Sequence, residues 1–263
     1  MKKYFVVGNP IEHSLSPKLH NFWIKNNSID AIYEKKILSK DGLKNLILEV
    51  KKKKIHGINV TVPFKKTVIP YLDQLSTESK NTQSVNTIYL NNNKTIGHNT
   101  DIEGFERSIK ETKLDIKNKK VLILGAGGVA PSIIFALYKM KVSEIMITNR
   151  TKSKAEDLKG LFKNLKIVDW GKVPEFDIII NATSVGLKKG DEINLDFSKI
   201  GKNKFFYDLI YNPNETNFLK IGKNLGNRTE NGKLMFVYQA LAAFNVWHGI
   251  QPEINNEVIK LLD

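Results

Sequence analysis

Apolar residues in this chain fall into short β-branched and aromatic runs, and these alternate with stretches of helical spacing. "YFVVG" predicts a strand. "SPKLHNFWIKNN" predicts a helix, with Ser16 as N-cap and Pro17 at its first position. "AIYEKKIL" is a strand and "SKDGLKNLILEVKKKK" holds a helix. "INVTV" is a further strand, Ile58 to Val62, that ends at Pro63 and gives way to a short helix. "VNTIYLNNNKTIGHN" predicts a hairpin whose turn contains Asn91 to Asn93.

A helix from Asp101 to Thr112 leads into a second series. "KVLILGAGGVA" reads as a buried strand and a glycine turn, followed by the helix "PSIIFALYKM". "EIMIT", "KIVDW", "FDIIINAT" and "FFYDLIY" are further strands, with helices in "SKAEDLKGLF" and near Glu215 to Lys223. This order predicts a doubly wound parallel sheet of Rossmann type over about 113–231. "GKLMFVYQALAAFNVWHG" predicts a long amphipathic helix, followed by a short one, that returns to the first domain. The expected fold is α/β with two domains and a cleft between them. Residues 1–100, completed by C-terminal helices in 236–263, form a mixed α/β substrate domain. Residues 101–235 form the dinucleotide-binding domain with its linking helix.

Composition narrows the chemistry. The 263 residues are 41% hydrophobic, enough for packed cores, and include no cysteine. Disulfides, thiolate metal sites and cysteine nucleophiles are thereby excluded. No stretch approaches the ~20 apolar residues of a membrane span, and "MKKYFVVGNPIEHS" has too short an apolar run for a signal peptide. The expectation is a cytoplasmic protein without a membrane partner. The net charge of +14 is almost all lysine, with Arg107, Arg150 and Arg228 the only arginines. The lysines are scattered, and the longest run, Lys51 to Lys54, closes a helical stretch where cations meet the helix dipole. That pattern fits a compositional bias better than a nucleic-acid-binding face, and it still favours anionic small molecules.

"LGAGGVA", Leu124 to Ala130, places G-x-G-x-x-A between a strand and a helix. Gly125 permits the tight turn, Gly127 lets backbone N–H groups approach a pyrophosphate, and Ala130 is small enough for close helix–sheet packing. An NAD site usually carries a carboxylate about 20 residues on, at the end of the next strand. Here "EIMIT" runs instead into "NRTKSK". Arg150 suits a 2′-phosphate, with Thr151 and Lys154 adding a hydroxyl and a charge, so NADP is expected. Thr151 also suits a helix cap.

Hydride reduction of a ketone creates an alkoxide that needs a proton and a positive neighbour. Lys65, just after a strand end, supplies both, and Asp101 in "GHNTD" is the candidate partner that orients it. Ser14, Ser16, Asn59, Thr61 and Asn86 near other strand ends suit a small polyhydroxylated acid, although each alone fits a turn or cap. Asn59 either touches substrate or fixes its loop.

Taken together, "SLSP", "NVTVPFK", "VNT", "NTD", "GAGG", "NRT", "NATSVG", "DLIYNP" and "NGKLMFVYQA" resemble the shikimate dehydrogenase family along the whole chain. The resemblance implies reversible NADPH-dependent reduction of 3-dehydroshikimate to shikimate, on the route to chorismate and the aromatic amino acids. It implies that Ser14 and Ser16, helped by Tyr211, hold the substrate carboxylate. Thr61, Asn86 and Gln239 would bind ring hydroxyls with Lys65 and Asp101, and Lys65 would be the acid/base with Asp101 its partner. Gly125, Ala126, Gly127, Gly128 and Val129 would wrap the pyrophosphate. Asn149, Arg150, Thr151 and Lys154 would read the adenosine 2′-phosphate, and Leu209 and Gly232 would line the nicotinamide side. The chain departs from the family pattern at Ile102, where glycine is common, and at Val129 and Pro131. A quinate/shikimate-type paralogue and a non-catalytic dinucleotide-binding protein are the alternatives; Ser14, Ser16 and Arg150 argue against the first, and Lys65 with Asp101 against the second. The expected assembly is a monomer or homodimer, with no metal and no nucleic acid.

Overall fold

The computed structural model describes residues 1–39, 41–188 and 190–262. It divides into two compact units, Met1–Gly104 with Val237–Asp263, and Phe105–Phe236.

In the first unit, β1 (Lys2–Gly8) is followed by α1 (Ser16–Asn26), β2 (Ala31–Ile37), α2 (Gly42–Lys51) and β3 (Gly57–Val60). Next come α3 (Phe64–Thr67), a single 3₁₀ turn at Ile69–Tyr71, β4 (Gln74–Leu75), α4 (Thr77–Thr82) and the hairpin β5 (Thr87–Asn91) and β6 (Lys94–His98). The sheet order is β2-β1-β3-β5-β6-β4. β1 runs parallel to both neighbours, whereas β3–β5 and β5–β6 are antiparallel. Alternation along β1 serves two cores. Val7 joins Leu43, Leu46, Ile47 and Val50, the i, i+3, i+4, i+7 face of α2. On the other side Tyr4 packs on Trp247 and His248. The hairpin turns at Asn92 and Asn93, whose φ angles of 47° and 59° are tolerated by asparagine and match a type I′ loop.

Helix α5 (Asp101–Glu111) carries the chain into the second unit. There β7 (Lys120–Leu124), α6 (Ala130–Lys139), β8 (Glu144–Thr148), α7 (Lys152–Leu161) and β9 (Lys166–Val168) are followed by β10 (Ile178–Asn181). β11 (Phe205–Asp208), α8 (Asn217–Asn224) and β12 (Arg228–Glu230) complete the sheet, whose order is β12-β11-β10-β7-β8-β9. Every pairing in it is parallel. The order reverses between β7 and β10, which lie side by side while the chain leaves them in opposite directions, so the loop after β7 enters a topological switch point, where doubly wound sheets bind ligands. α9 (Lys233–His248) returns the chain to the first unit, and α10 (Asn256–Lys260) follows.

Three local expectations are corrected. The strand predicted to run to Val62 ends at Val60. The chain turns at Thr61–Phe64, closed by the Phe64 N–H on the Thr61 carbonyl (2.8 Å) and containing a cis Val62–Pro63 bond. Ser16 is the first helical residue of α1 rather than its cap, and Ser14 Oγ receives the Ser16 N–H at 3.3 Å. α9 is not amphipathic. Met235 to Tyr238 and Ala240 to Phe244 are all buried, as expected for a helix apolar on all sides.

Candidate active site

The turn after β3 sets Lys65 in the first turn of α3, and the Lys65 carbonyl accepts the Val85 N–H at 2.9 Å, which ties α3 to the chain entering β5. Lys65 Nζ lies 2.5 Å from Asp101 Oδ2, and the two residues are 9% and 5% exposed. Asp101 opens α5, where the N-terminal end of the helix favours a carboxylate, and its N–H donates to Asn99 Oδ1 at 3.1 Å. Asn86 Nδ2 donates to Asp101 Oδ1 and to Thr100 Oγ1, both at 2.9 Å. Asn86 Oδ1 in turn accepts from the Thr100 N–H (2.8 Å) and Thr87 Oγ1 (3.0 Å). Attraction between two buried charges offsets their desolvation only when the remaining lone pairs are also bonded. Asn86 meets that need for Asp101. The bond to Asp101 takes one of the three ammonium donors of Lys65.

Ser14 is half-buried and Ser16 buried at the entry to α1. Because Ser14 Oγ accepts the Ser16 N–H, its own hydrogen points elsewhere and suits an incoming anion. The Ser16 side chain lies near the Tyr33 hydroxyl and acts to lower its pKa, against the larger effect of burial. Asn59, also buried, donates from Nδ2 to the Asn86 carbonyl and Thr87 Oγ1, both at 3.1 Å. Thr61 lies beyond the strand, half-buried, its N–H on the Val7 carbonyl at 2.9 Å. Gln239 is half-buried on α9, in the part that belongs to the first unit.

In the second unit Gly125 has φ +102°, and a Cβ there would meet Thr183 Cγ2 at 2.7 Å, so glycine is required by the turn itself. Gly127 differs. An added Cβ would meet only the Ala182 carbonyl oxygen, at 3.8 Å, so the chain's own packing does not demand glycine there. A glycine there leaves the backbone open to close approach from outside, the feature that a pyrophosphate at the N-terminus of a helix would use. The Ala126 N–H donates to Asn149 Oδ1 (3.0 Å), and Asn149 Nδ2 donates to the Thr151 carbonyl (2.7 Å). Asn149 thus ties the glycine turn to the loop after β8. Arg150, Thr151 and Lys154 are exposed on that loop and the start of α7. Thr151 occupies the N-cap position, but its side chain makes no capping bond. Gly128 is exposed, and Val129 is the half-buried N-cap of α6.

Asp208 closes β11. Its Oδ1 accepts from Asn181 Nδ2 and the Ile210 N–H, both at 3.0 Å, and its Oδ2 from Thr216 Oγ1 at 2.6 Å. Burial pushes its pKa up to about 6 against these bonds. The carboxylate fixes the chain on which Leu209 follows. The Leu209 N–H donates to the Asn181 carbonyl at 3.0 Å, and the Leu209 carbonyl packs so closely on Gly232 that a Cβ there would collide with it. Tyr211 is half-buried and stacks on Phe236, with centroids 4.4 Å apart.

Within the first unit the structure therefore brings Lys65, Asp101 and Asn86 together. Within the second it joins Gly125 to Val129 with Asn149, and Leu209 with Gly232. Sequence reasoning missed Thr87, Asn99, Thr100, Tyr33 and Asp208 as parts of these networks. Tyr33, in a strand of mixed residues, reads as an ordinary core aromatic. The departures from the family pattern are structural. Ile102 is 1% exposed and fills the core, and Pro131 lies in the first turn of α6, where a missing N–H costs nothing.

Residues 6–88 match the family described as the shikimate dehydrogenase substrate binding domain, and residues 107–207 match shikimate / quinate 5-dehydrogenase. The chain is 58% identical to a shikimate dehydrogenase (NADP(+)) of Pelagibacter ubique, with 100% of both chains covered. A relative of the same description from Caldicellulosiruptor saccharolyticus is 42% identical, covering 100% of this chain and 98% of the relative. Among solved structures, shikimate 5-dehydrogenase from Thermus thermophilus in complex with NADP(H) and shikimate is 30% identical. It superposes with a TM-score of 0.91 over 100% of this chain and 98% of that one.

Proposed function

The chain belongs to the shikimate dehydrogenase family, and we propose on that premise that it catalyses the reversible NADPH-dependent reduction of 3-dehydroshikimate to shikimate. This step serves chorismate and aromatic amino acid biosynthesis. The observation that carries the reading is the buried Lys65–Asp101 pair, with Asn86 on the second carboxylate oxygen.

NADPH, when bound, supplies the hydride. The Lys65 ammonium gives a proton to the ketone oxygen as it becomes an alkoxide, and the charge on Nζ stabilises that oxygen beforehand. Asp101 holds Nζ in place, and Asn86 holds Asp101. In the reverse direction neutral Lys65 takes the hydroxyl proton. Ser14 and Ser16 receive the substrate carboxylate, and Thr61, Asn86 and Gln239 meet ring hydroxyls. In the second unit Gly125, Ala126, Gly127, Gly128 and Val129 receive the pyrophosphate. Arg150, Thr151 and Lys154 receive the adenosine 2′-phosphate, with Asn149 fixing the loop that carries them. Leu209 and Gly232 line the nicotinamide side. No described helix is long and apolar enough to cross a membrane.

The test is absorbance at the NADPH band with shikimate and NADP⁺ at mildly alkaline pH, with quinate and NAD⁺ run in parallel. Reduction with shikimate and NADP⁺ at least tenfold faster than with any other pair is expected. Preference for quinate or for NAD⁺ would replace the reading with the paralogue, and silence with every pair would remove the activity.

A further inference from the structure

The Tyr33 hydroxyl takes no part in the mechanism above, yet the fold fixes it from three sides. Its ring is stacked flat on His20, with centroids 4.2 Å apart and planes 1° from parallel. Its backbone is clamped by Asn21, which accepts the Tyr33 N–H at Oδ1 (2.9 Å) and donates from Nδ2 to the Tyr33 carbonyl (2.8 Å). His20 and Asn21 belong to α1, the helix that Ser16 begins. The hydroxyl then donates to Asn59 Oδ1 at 2.6 Å. Burial raises its pKa well above 10, so it stays a neutral donor at any working pH.

Asn59 decides what that bond is for. Both polar ends of its amide are committed to the protein. Nδ2 donates to the Asn86 carbonyl and to Thr87 Oγ1, so Oδ1 is the acceptor end and Tyr33 supplies its donor. The two partners of Nδ2 are the residues that order Asp101. Asn86 bonds Asp101 directly, and Thr87 bonds the Asn86 side chain. One route of hydrogen bonds therefore runs from Tyr33 through Asn59, Asn86 and Asp101 to Lys65, all within the first unit.

We propose that Tyr33 is a positioning residue for this reaction, acting through Asn59 to hold the Asn86–Asp101–Lys65 set. Losing its hydroxyl leaves the buried Asn59 oxygen without a donor, and the amide relieves this by turning, which withdraws Nδ2 from Thr87 Oγ1 and from the Asn86 carbonyl and leaves that carbonyl the Val60 N–H alone. The role rests on the reading of the protein as a shikimate dehydrogenase.

Tyr33→Phe keeps the ring and its stack and removes only the hydroxyl. With shikimate and NADP⁺, its kcat is expected to fall about tenfold while the KM for NADP⁺ stays within twofold. Asn59→Ala should fall at least as far, and the double variant no further than Asn59→Ala alone, because Tyr33 acts through that side chain. Losses that multiply, or a Tyr33→Phe kcat within twofold of wild type, would overturn the proposal. Wild-type protein that turns over no shikimate would instead defeat the reading itself, and the Tyr33 role with it. Should Tyr33→Phe fold poorly, Asn59→Ser interrupts the same route one bond later and carries the same expected loss.

Discussion

Lys65 differs by its surroundings from the other lysines among the described residues that form ion pairs. Ion pairs such as Lys120–Glu175 (3.0 Å) and Lys166–Glu144 (2.6 Å) sit at the surface, where such contacts contribute little. Lys65 is buried on a carboxylate whose other oxygen is occupied. Lys65→Ala is expected to lower kcat by at least ~100-fold, as loss of a general acid does, with a much smaller change in KM. Steady-state kinetics in both directions would check this, and a near-normal kcat would take Lys65 out of the chemistry. Arg150 carries the cofactor argument. Charge-assisted bonds to a 2′-phosphate contribute about 1.5–3 kcal/mol, so Arg150→Ala should weaken NADP⁺ roughly 10- to 100-fold and leave NAD⁺ nearly unchanged. Equal weakening of both, measured by titration, would defeat the assignment. The Lys65–Asp101 pairing was legible in the chain because opposite charges stand just past two apolar strand signals. Tyr33 was not, and Asn59 was read only as a substrate contact or a loop-fixing residue, because the bonds that join them to each other and to Asn86 and Thr87 span 26 to 28 positions in sequence and only side-chain direction brings them together.

At the scale of elements, strong apolar runs announced most strands and helices, and weak ones stayed hidden. β4 is two residues long, and β12 is Arg-Thr-Glu, with no apolar alternation to read. Both lie at sheet edges, where pairing needs only backbone. α9 misled for the opposite reason, since burial all round erases the polar stripe. Asp208 shows what pattern reading cannot supply, an acid with no cation among its hydrogen-bond partners that holds the ends of β10 and β11 and the Thr216 cap of α8. Its folded pKa, about 6, stands above the ordinary 3.8. The folded state therefore binds this proton more tightly than the unfolded chain does. The resulting stabilisation is complete below pH ~4 and is lost as pH rises through ~6, a swing of about 3 kcal/mol. Asp208→Asn keeps the acceptor for Asn181 and Ile210 and cannot ionise. Its unfolding free energy relative to wild type should rise by about that amount between pH 4 and pH 8. Denaturant titrations at the two pH values give the difference directly, and a difference independent of pH would show that Asp208 does not titrate in this range.

For the molecule as a whole, the informative quantity is the net charge of +14, which sequence alone already assigns to a scattered lysine excess. Two consequences of that charge oppose each other. Repulsion among surface lysines disfavours the compact state, and it exceeds what exposed ion pairs return, because those pairs are individually weak. The same field draws a polyanionic cofactor toward the protein. Salt screens both, shortening the Debye length from about 30 Å at 0.01 M to about 8 Å at 0.15 M. Raising sodium chloride across that range at pH 7 should therefore increase Tm by a few degrees while raising the KM for NADP⁺ several-fold. The KM for shikimate, which carries a single charge, should move less. Calorimetric scans and initial rates on one preparation test the two together. A Tm that falls with salt would mean that the ion pairs outweigh the lysine excess. A KM for NADP⁺ indifferent to salt would confine cofactor attraction to the short-range contacts of Arg150 and its neighbours.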